Sequence, residues 1–276
     1  MTNDYQNSKS IPKFDREIVI YIPVYNCSST VVETISSIPP ELLTKSNVLV
    51  IDNNSSDQTV ECLINARKQG AITNSLQIIR TSRNIGYAGS QKLAFSLTRD
   101  SSMVRWVIML HGDGQYPSEL LSKFSRMFES NIGLVYGYRS KLFFRGLEET
   151  PLPTWAVIKI LSILESLVTG HYRKEWHTGF NMYSKKFLRR LPLNKLTDTS
   201  HIDGHISFLA GLYGESVESV PIYKRYKGYA AFSGIGRIKY VLDVIRLMFE
   251  FRFNVISPSD LNTEESNFVT EYKIIF

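Results

Sequence analysis

A chain of 276 residues that is 43% apolar has ample material for a buried core, and its 16 glycines and 10 prolines do not suit a disordered or fibrous protein. Uncharged apolar runs such as Trp106 to Leu110 fall far short of the roughly 20 residues needed to cross a bilayer, so no spanning segment is expected. The net charge is +6, and it is uneven. Lys224, Arg225, Lys227, Arg237, Lys239, Arg246 and Arg252 crowd one segment, whereas Asp260, Glu264, Glu265 and Glu271 face only Lys273 near the end. Such basic clusters suit phosphates, anionic lipid or plain solvated surface; no nucleic-acid partner is expected. The start, Met1 to Ser10, is polar with no apolar core for export, and Cys27 and Cys62 are too few for a disulfide framework. A reducing, cytoplasmic compartment is the expectation.

The first half alternates short β-branched runs with longer helical patterns, which predicts an α/β protein with a mainly parallel sheet flanked by helices. In chain order the predicted strands are Ile18 to Pro23, Val48 to Asp52, Leu76 to Arg80 and Val104 to Leu110. The predicted helices are Ser29 to Ser37, Ser56 to Lys68 with Ser56 as N-cap, Tyr87 to Thr98 and Pro117 to Phe128. Ligands of such sheets gather at the carboxyl ends of the strands. There the sequence places Pro23-Val24-Tyr25-Asn26, then Asp52-Asn53-Asn54-Ser55-Ser56-Asp57, then Arg83-Asn84-Ile85-Gly86, then His111-Gly112-Asp113-Gly114-Gln115. No G-x-G-x-x-G or G-x-x-x-x-G-K-[ST] follows a strand, and Gly234-Ile235-Gly236 is too short a match, so dinucleotide and P-loop readings fall. What remains is a nucleotide site whose pyrophosphate needs a divalent metal.

In order and spacing these four clusters resemble a family 2 glycosyltransferase of the GT-A fold, over about residues 17 to 222. Asp113 to Pro117, Gly137-Tyr138-Arg139, Thr178-Gly179-Phe180, Val220-Pro221-Ile222 and the stretch Asn84 to Lys92 resemble the branch that includes polyprenyl phosphate sugar synthases. The resemblance implies a Rossmann-like nucleotide-binding sheet. It also implies that Pro23, Tyr25, Asn26, Asp52, Asn53, Asp57, Asn84, Gly86, Lys92, His111 and Gly112 surround a nucleoside diphosphate sugar. Asp113 and Gln115 would hold Mg²⁺ or Mn²⁺, and Asp113, Asp203 and Arg139 would carry the chemistry. A hard cation prefers oxygen ligands, and a carboxylate and an amide two residues apart on an extended chain can point the same way. His111 and Asn53 stand where the family usually has acidic residues, Cys27 where it often has Glu, and Asn181 where it often has Arg.

The expected organisation is a GT-A domain over 1–222, with a nucleotide half at about 15–115 and an acceptor half at about 116–222. A basic amphipathic segment over 223–256 and a polar acidic tail over 257–276 follow. In the basic segment Ile238, Val241, Leu242, Ile245 and Phe249 recur at helical spacing, which suits either core packing or rest on an anionic membrane face. His201 and His205 have the i, i+4 spacing of a zinc helix, but no third ligand is evident from the sequence. The expected activity is metal-dependent inverting transfer of a sugar to a lipid phosphate at a membrane surface, by a protein peripheral on the cytoplasmic face. Transfer to a hydroxyl of a cell-surface glycan, or non-catalytic nucleotide-sugar binding, remain the alternatives.

Overall fold

The computed structural model describes residues 11–128, 131–226, 234–253, 268 and 270–275. The polar start (1–10), parts of the basic segment (227–233 and 254–256) and most of the acidic tail (257–267, 269 and 276) lie outside the described residues. The strands are β1 (Ile18–Val24), β2 (Ser46–Asp52), β3 (Leu76–Thr81), β4 (Trp106–Met109), β5 (Leu134–Arg139), β6 (Asn181–Ser184), β7 (Val217–Ile222) and β8 (Tyr272–Ile274). The helices are α1 (Val31–Ser36), α2 (Pro40–Leu43), α3 (Thr59–Lys68), α4 (Gly86–Thr98), α5 (Leu152–Thr169), α6 (Lys185–Leu188), α7 (Ile202–Leu212) and α8 (Gly234–Arg252).

One sheet runs β7-β5-β6-β4-β1-β2-β3-β8. Strand β1 pairs in parallel with both β2 and β4, β2 with β3, and β5 with β7. Strand β6 is antiparallel to β4 and β5, and β8 is antiparallel to β3. Successive side chains of a strand point to opposite faces, so β1 divides its residues between two cores. Ile18, Ile20, Ile22 and Val24 pack with Ile35 of α1, Leu63 of α3 and Phe124. Val19 and Tyr21 pack with Leu93 and Phe95 of α4 and Ile206 of α7. Burial on both faces explains why β1 and β2 read as continuous apolar runs rather than alternating ones. The chain builds outward from β1 to β3 on one side, then returns to place β4 on the other. The carboxyl ends of β1 and β4 are therefore neighbours, and this topological switch point is where a crevice forms.

Several sequence expectations change in detail. The helix expected from Ser56 begins at Thr59, because the Ser56 and Asp57 amides donate to Asn26 Oδ1 and Asp57 itself accepts from the Thr59 amide. Ser56 is thus part of a loop rather than an N-cap. Pro117 to Phe128 winds as a 3₁₀ helix over Ser118–Met127. The expected polar tail contributes β8 to the sheet edge.

The sequence reading also missed α5. Pro151 sits just before it and Gly170, at φ 70°, ends it in the left-handed region that a side chain avoids. Contrary to the expectation from uncharged runs, α5 is long and apolar enough to cross a membrane by length and composition, although Glu165 within it is buried. It packs on α8 through a third core of Leu161, Trp176, Phe208, Val244, Leu247 and Met248. Both helices are apolar on their outer faces as well. Ile160 (58%), Ile163 (60%) and Leu167 (74%) on α5 are exposed, as are Leu242 (60%) and Phe249 (59%) on α8.

Candidate active site

On the nucleotide side, the loops after β1 and β2 are sewn together. Asn26 takes the left-handed conformation (φ 53°), donates its amide to Ser55 Oγ at 3.0 Å and accepts the Ser56 amide at 2.9 Å. Asp52 is buried and accepts the Ser55 amide at 3.2 Å, with Arg80 Nε 3.3 Å away. Burial pushes its carboxyl up, and the Ser55 bonds and Arg80 oppose this. Burial also acts to raise Asp57, but bonds from Thr59 and Ser28 outweigh it and hold that carboxyl low. Asn53 donates to Ser90 of α4 at 2.6 Å, while its buried Oδ1 has no partner among the described residues. Asn84 accepts the Gly86 amide at 2.8 Å, forming the turn from which α4 starts, with Gly86 at φ 72°. Tyr25 stands exposed beside this cluster. Pro23, Tyr25, Asn26, Asp52, Asn53 and Asp57 are thus brought together, and Asn84 and Gly86 join them through Ser90.

Lys92 does not join them. Its buried ammonium donates to the Leu196 carbonyl and to Asp198, each at 2.6 Å, so it is an internal tie rather than a nucleotide contact.

On the diphosphate side, Asp113 and Gln115 share a tight turn instead of the extended chain expected. Gly114 takes φ 69°, and Asp113 Oδ1 accepts the Gln115 amide at 3.0 Å. Asp113 Oδ2 makes no hydrogen bond among the described residues. Gly112 lies so close to β1 that a Cβ there would come within 2.5 Å of Val24 Cγ1, and Thr30 donates to its carbonyl at 2.8 Å. His111 is sandwiched between Tyr87 and Tyr116, with ring centroids 5.5 and 5.2 Å away. Burial lowers its pKa, with Asp113 partly opposing, so the ring is neutral; its Nε2 has no partner among the described residues.

Arg139, expected among the residues that carry the chemistry, is found in a buried pair. Its Nε donates to Glu175 Oε1 at 2.6 Å, its Nη2 to the same oxygen and to the His177 carbonyl, and its amide to Glu175 Oε2. Burial works against the charge, and Glu175 more than restores it. Lys159 of α5 also reaches Glu175, at 3.4 Å. Asp203 is buried and saturated: Tyr87 Oη, Gln91 Nε2, Asn181 Nδ2 and Tyr183 Oη all donate to it, at 2.5 to 3.0 Å. That environment does not suit the proton acceptor that the alternative transfer to a glycan hydroxyl would need.

One residue the sequence reading left out is Lys224, just past β7. Its ammonium lies over Tyr116, 5.1 Å from the ring centroid, and feels Asp113, Glu175 and Arg139. Burial and then Arg139 bring its pKa down to about 8. Its place after a strand that ends at the crevice was the available signal. Together these residues bring a carboxylate, a neutral imidazole and a partly buried cation to one switch point.

Comparison with known proteins agrees. The model for glycosyl transferase family 2 matches residues 19–201. Among solved structures, glucosyl-3-phosphoglycerate synthase from Mycobacterium tuberculosis in complex with uridine diphosphate is similar at 16% identity with a TM-score of 0.60, covering 87% of this chain and 81% of that one. The same enzyme with Mn²⁺, uridine-diphosphate-glucose and phosphoglyceric acid is similar at 14% identity with a TM-score of 0.59, covering 87% and 80%. No match is found among curated proteins. With the sheet order, the loops at the switch point and a family model spanning more than half of its length in agreement, the chain belongs to glycosyl transferase family 2, with the GT-A fold.

Proposed function

We propose that this glycosyltransferase moves a sugar, with inversion, from a uridine diphosphate sugar to the phosphate of a polyprenyl lipid at a membrane surface. The Asp113 carboxylate, with Oδ2 uncommitted at the end of β4, and the Gln115 amide suit Mg²⁺ or Mn²⁺, which prefer oxygen donors. The metal, when bound, neutralises charge on the departing diphosphate. Around it, Tyr25, Asp52 and Asn53 hold the base, the tight Gly114 turn lets the chain approach the diphosphate, and Lys224 supplies a positive charge at neutral pH. The solved relatives in complex with Mn²⁺, uridine-diphosphate-glucose and phosphoglyceric acid support the donor and the metal.

The observation that carries the acceptor class is the state of Asp203. A hydroxyl acceptor needs a base, and Asp203 already accepts four hydrogen bonds. A phosphate monoester, with a second pKa near ~6, is largely dianionic at neutral pH and attacks without one. Membrane presentation is supported by the apolar outer faces of α5 and α8, where Lys239 and Arg252 are also exposed. Glu175 joins Lys159 of α5 to Arg139, which supports a link between that helix and the proposed acceptor half.

The test compares transfer from labelled donor to polyprenyl phosphate in anionic vesicles, to 3-phosphoglycerate and to a glycan hydroxyl. The native chain should bind vesicles and prefer the lipid, and Leu242→Glu with Phe249→Glu should abolish both while slow donor hydrolysis continues. Equal vesicle binding and lipid transfer by the double variant would refute the membrane surface. Preference for the soluble phosphate or the hydroxyl would refute the lipid acceptor.

A further inference from the structure

Three side chains that the donor site does not use converge inside the acceptor half. Glu165 comes from α5, His177 from the loop before β6, and His201 from the residue before α7. Their side chains are 0%, 3% and 1% exposed. His177 Nε2 lies 2.8 Å from Glu165 Oε2, and His201 Nε2 lies 3.1 Å from Glu165 Oε1. One ligand atom from each of the three falls within 4.8 Å of the others. Yet none of Glu165 Oε1, Glu165 Oε2, His177 Nε2 and His201 Nε2 has a well-aligned hydrogen bond among the described residues, because the short His–Glu contacts lie off the ideal angle. The two imidazoles and the carboxylate are thus in close contact, and although burial acts to raise the Glu165 carboxyl, their pairing holds it low. Their four atoms face one another, so a single cation would satisfy all of them.

The outer nitrogens of the same rings are already engaged. Tyr240 of α8 places its hydroxyl 2.7 Å from His177 Nδ1 and 3.3 Å from His201 Nδ1. Hydrogen bonding at Nδ1 fixes the orientation of a metal-binding imidazole and leaves the Nε2 lone pair for the ion. The sequence signal was half of this arrangement: His201 is a ligand candidate, but its partner is not His205, whose Nδ1 accepts the Thr197 amide at 3.2 Å.

We propose that Glu165, His177 and His201 hold a zinc ion, separate from the metal of the donor site, that ties α5, α8 and the two loops together. Two imidazoles and a carboxylate suit zinc far better than magnesium, which wants oxygen ligands and keeps its waters. Ligand atoms about 2.0–2.1 Å from a tetrahedral zinc stand about 3.3 Å apart, close to the 2.8 and 3.1 Å found without an ion. Leu161, Trp176 and Phe208 wall the neighbourhood with apolar surface, which suits a structural ion. The ion would act on the acceptor side by fixing His177, whose carbonyl receives Arg139.

The experiment counts metal in the full chain. Asp113→Asn, which disables the donor-site metal, is purified without chelator and analysed by mass spectrometry, then stripped and titrated with zinc by calorimetry. About one tightly held zinc per chain is expected. It should raise the melting temperature of the stripped protein where Mg²⁺ does not, and Co²⁺ in its place should give the visible spectrum of a tetrahedral site. His177→Gln and His201→Gln should lose the zinc, and Tyr240→Phe should weaken it about 10- to 100-fold. A stripped, folded Asp113→Asn chain that takes up no zinc would overturn the proposal and leave the trio as a Glu–His cluster held by a proton. Zinc retained unchanged in both glutamine variants would overturn it equally. If those variants fail to fold, the titration of Asp113→Asn alone decides.

Discussion

The Lys224 ammonium sits over the face of Tyr116, 5.1 Å from its centroid, within the field of both Asp113 and Arg139. That position gives the crevice a cation whose charge is easily lost. With its pKa near 8, Lys224 is charged at neutral pH and neutral above it, so donor affinity should fall as pH rises through 8. Lys224→Met should remove this pH limb and lower kcat/KM about 10- to 100-fold, the worth of one charge-assisted hydrogen bond. Folding runs the opposite way. The folded pKa lies below the unfolded 10.5, so the charged form strains the fold, and stability from this group rises between pH 8 and 10.5. The methionine variant should therefore melt higher than the native chain at pH 7. A variant with an unchanged pH profile would remove Lys224 from the donor site.

Asp113→Asn keeps the turn's hydrogen bond to the Gln115 amide, because an amide oxygen can accept it, but forfeits the carboxylate charge. Transfer should drop by about 100- to 1,000-fold, the several kcal/mol a metal contributes at a leaving group. The melting temperature should stay close to native. Calorimetry of uridine diphosphate with and without Mn²⁺ checks this: the native chain should show metal-dependent binding, and the variant should not. Full activity in excess chelator would refute the role.

At Gly179 a Cβ would lie 2.2 Å from His111 Nε2 and 2.9 Å from Tyr87 Oη. Gly179→Ala must therefore displace the ring that packs between Tyr87 and Tyr116, and both transfer and stability should suffer. Adding His111→Ala should restore stability by removing the clash, a coupling that a double-mutant cycle in urea measures directly. Additive losses would mean that His111 does not fill that space.

For Asp203→Asn the prediction separates support from proton transfer. The new amide group would face donors that now bond a carboxylate, leaving some of Tyr87, Gln91, Asn181 and Tyr183 unpaired. Each orphaned donor costs about 1–3 kcal/mol, so the denaturation midpoint should fall clearly. The pH profile of transfer to a phosphate acceptor should keep its shape. A stable variant that loses the acidic limb of that profile would restore Asp203 as a base.

How much of this was legible beforehand depends on how far apart the partners lie. Strands β1 to β4 announce themselves as β-branched runs, and the polar residues closing each run are local, so the cluster of loops at the switch point could be read directly. Arg139 and Lys92 could not. Their partners Glu175 and Asp198 are 36 and 106 residues away, and no local pattern distinguishes a paired buried cation from one waiting for a phosphate. Helix α5 escaped because an apolar surface all round gives no periodic contrast, leaving only Pro151 and Gly170 as signals. The trio of Glu165, His177 and His201 was hidden for the same reason as Arg139.

Strand β8 gives the protein a protected flank. It lies antiparallel along β3, pairing Ile79 with Ile274 and Thr81 with Tyr272, while the Ile275 amide donates to the Ile78 carbonyl at 2.8 Å. Cutting the chain after Phe253 would strip β3 of that neighbour and expose backbone donors and acceptors of an apolar strand, a template for pairing with another molecule. Self-association of such a shortened protein, seen as concentration-dependent light scattering, would report lost edge protection while the donor loops stay in place.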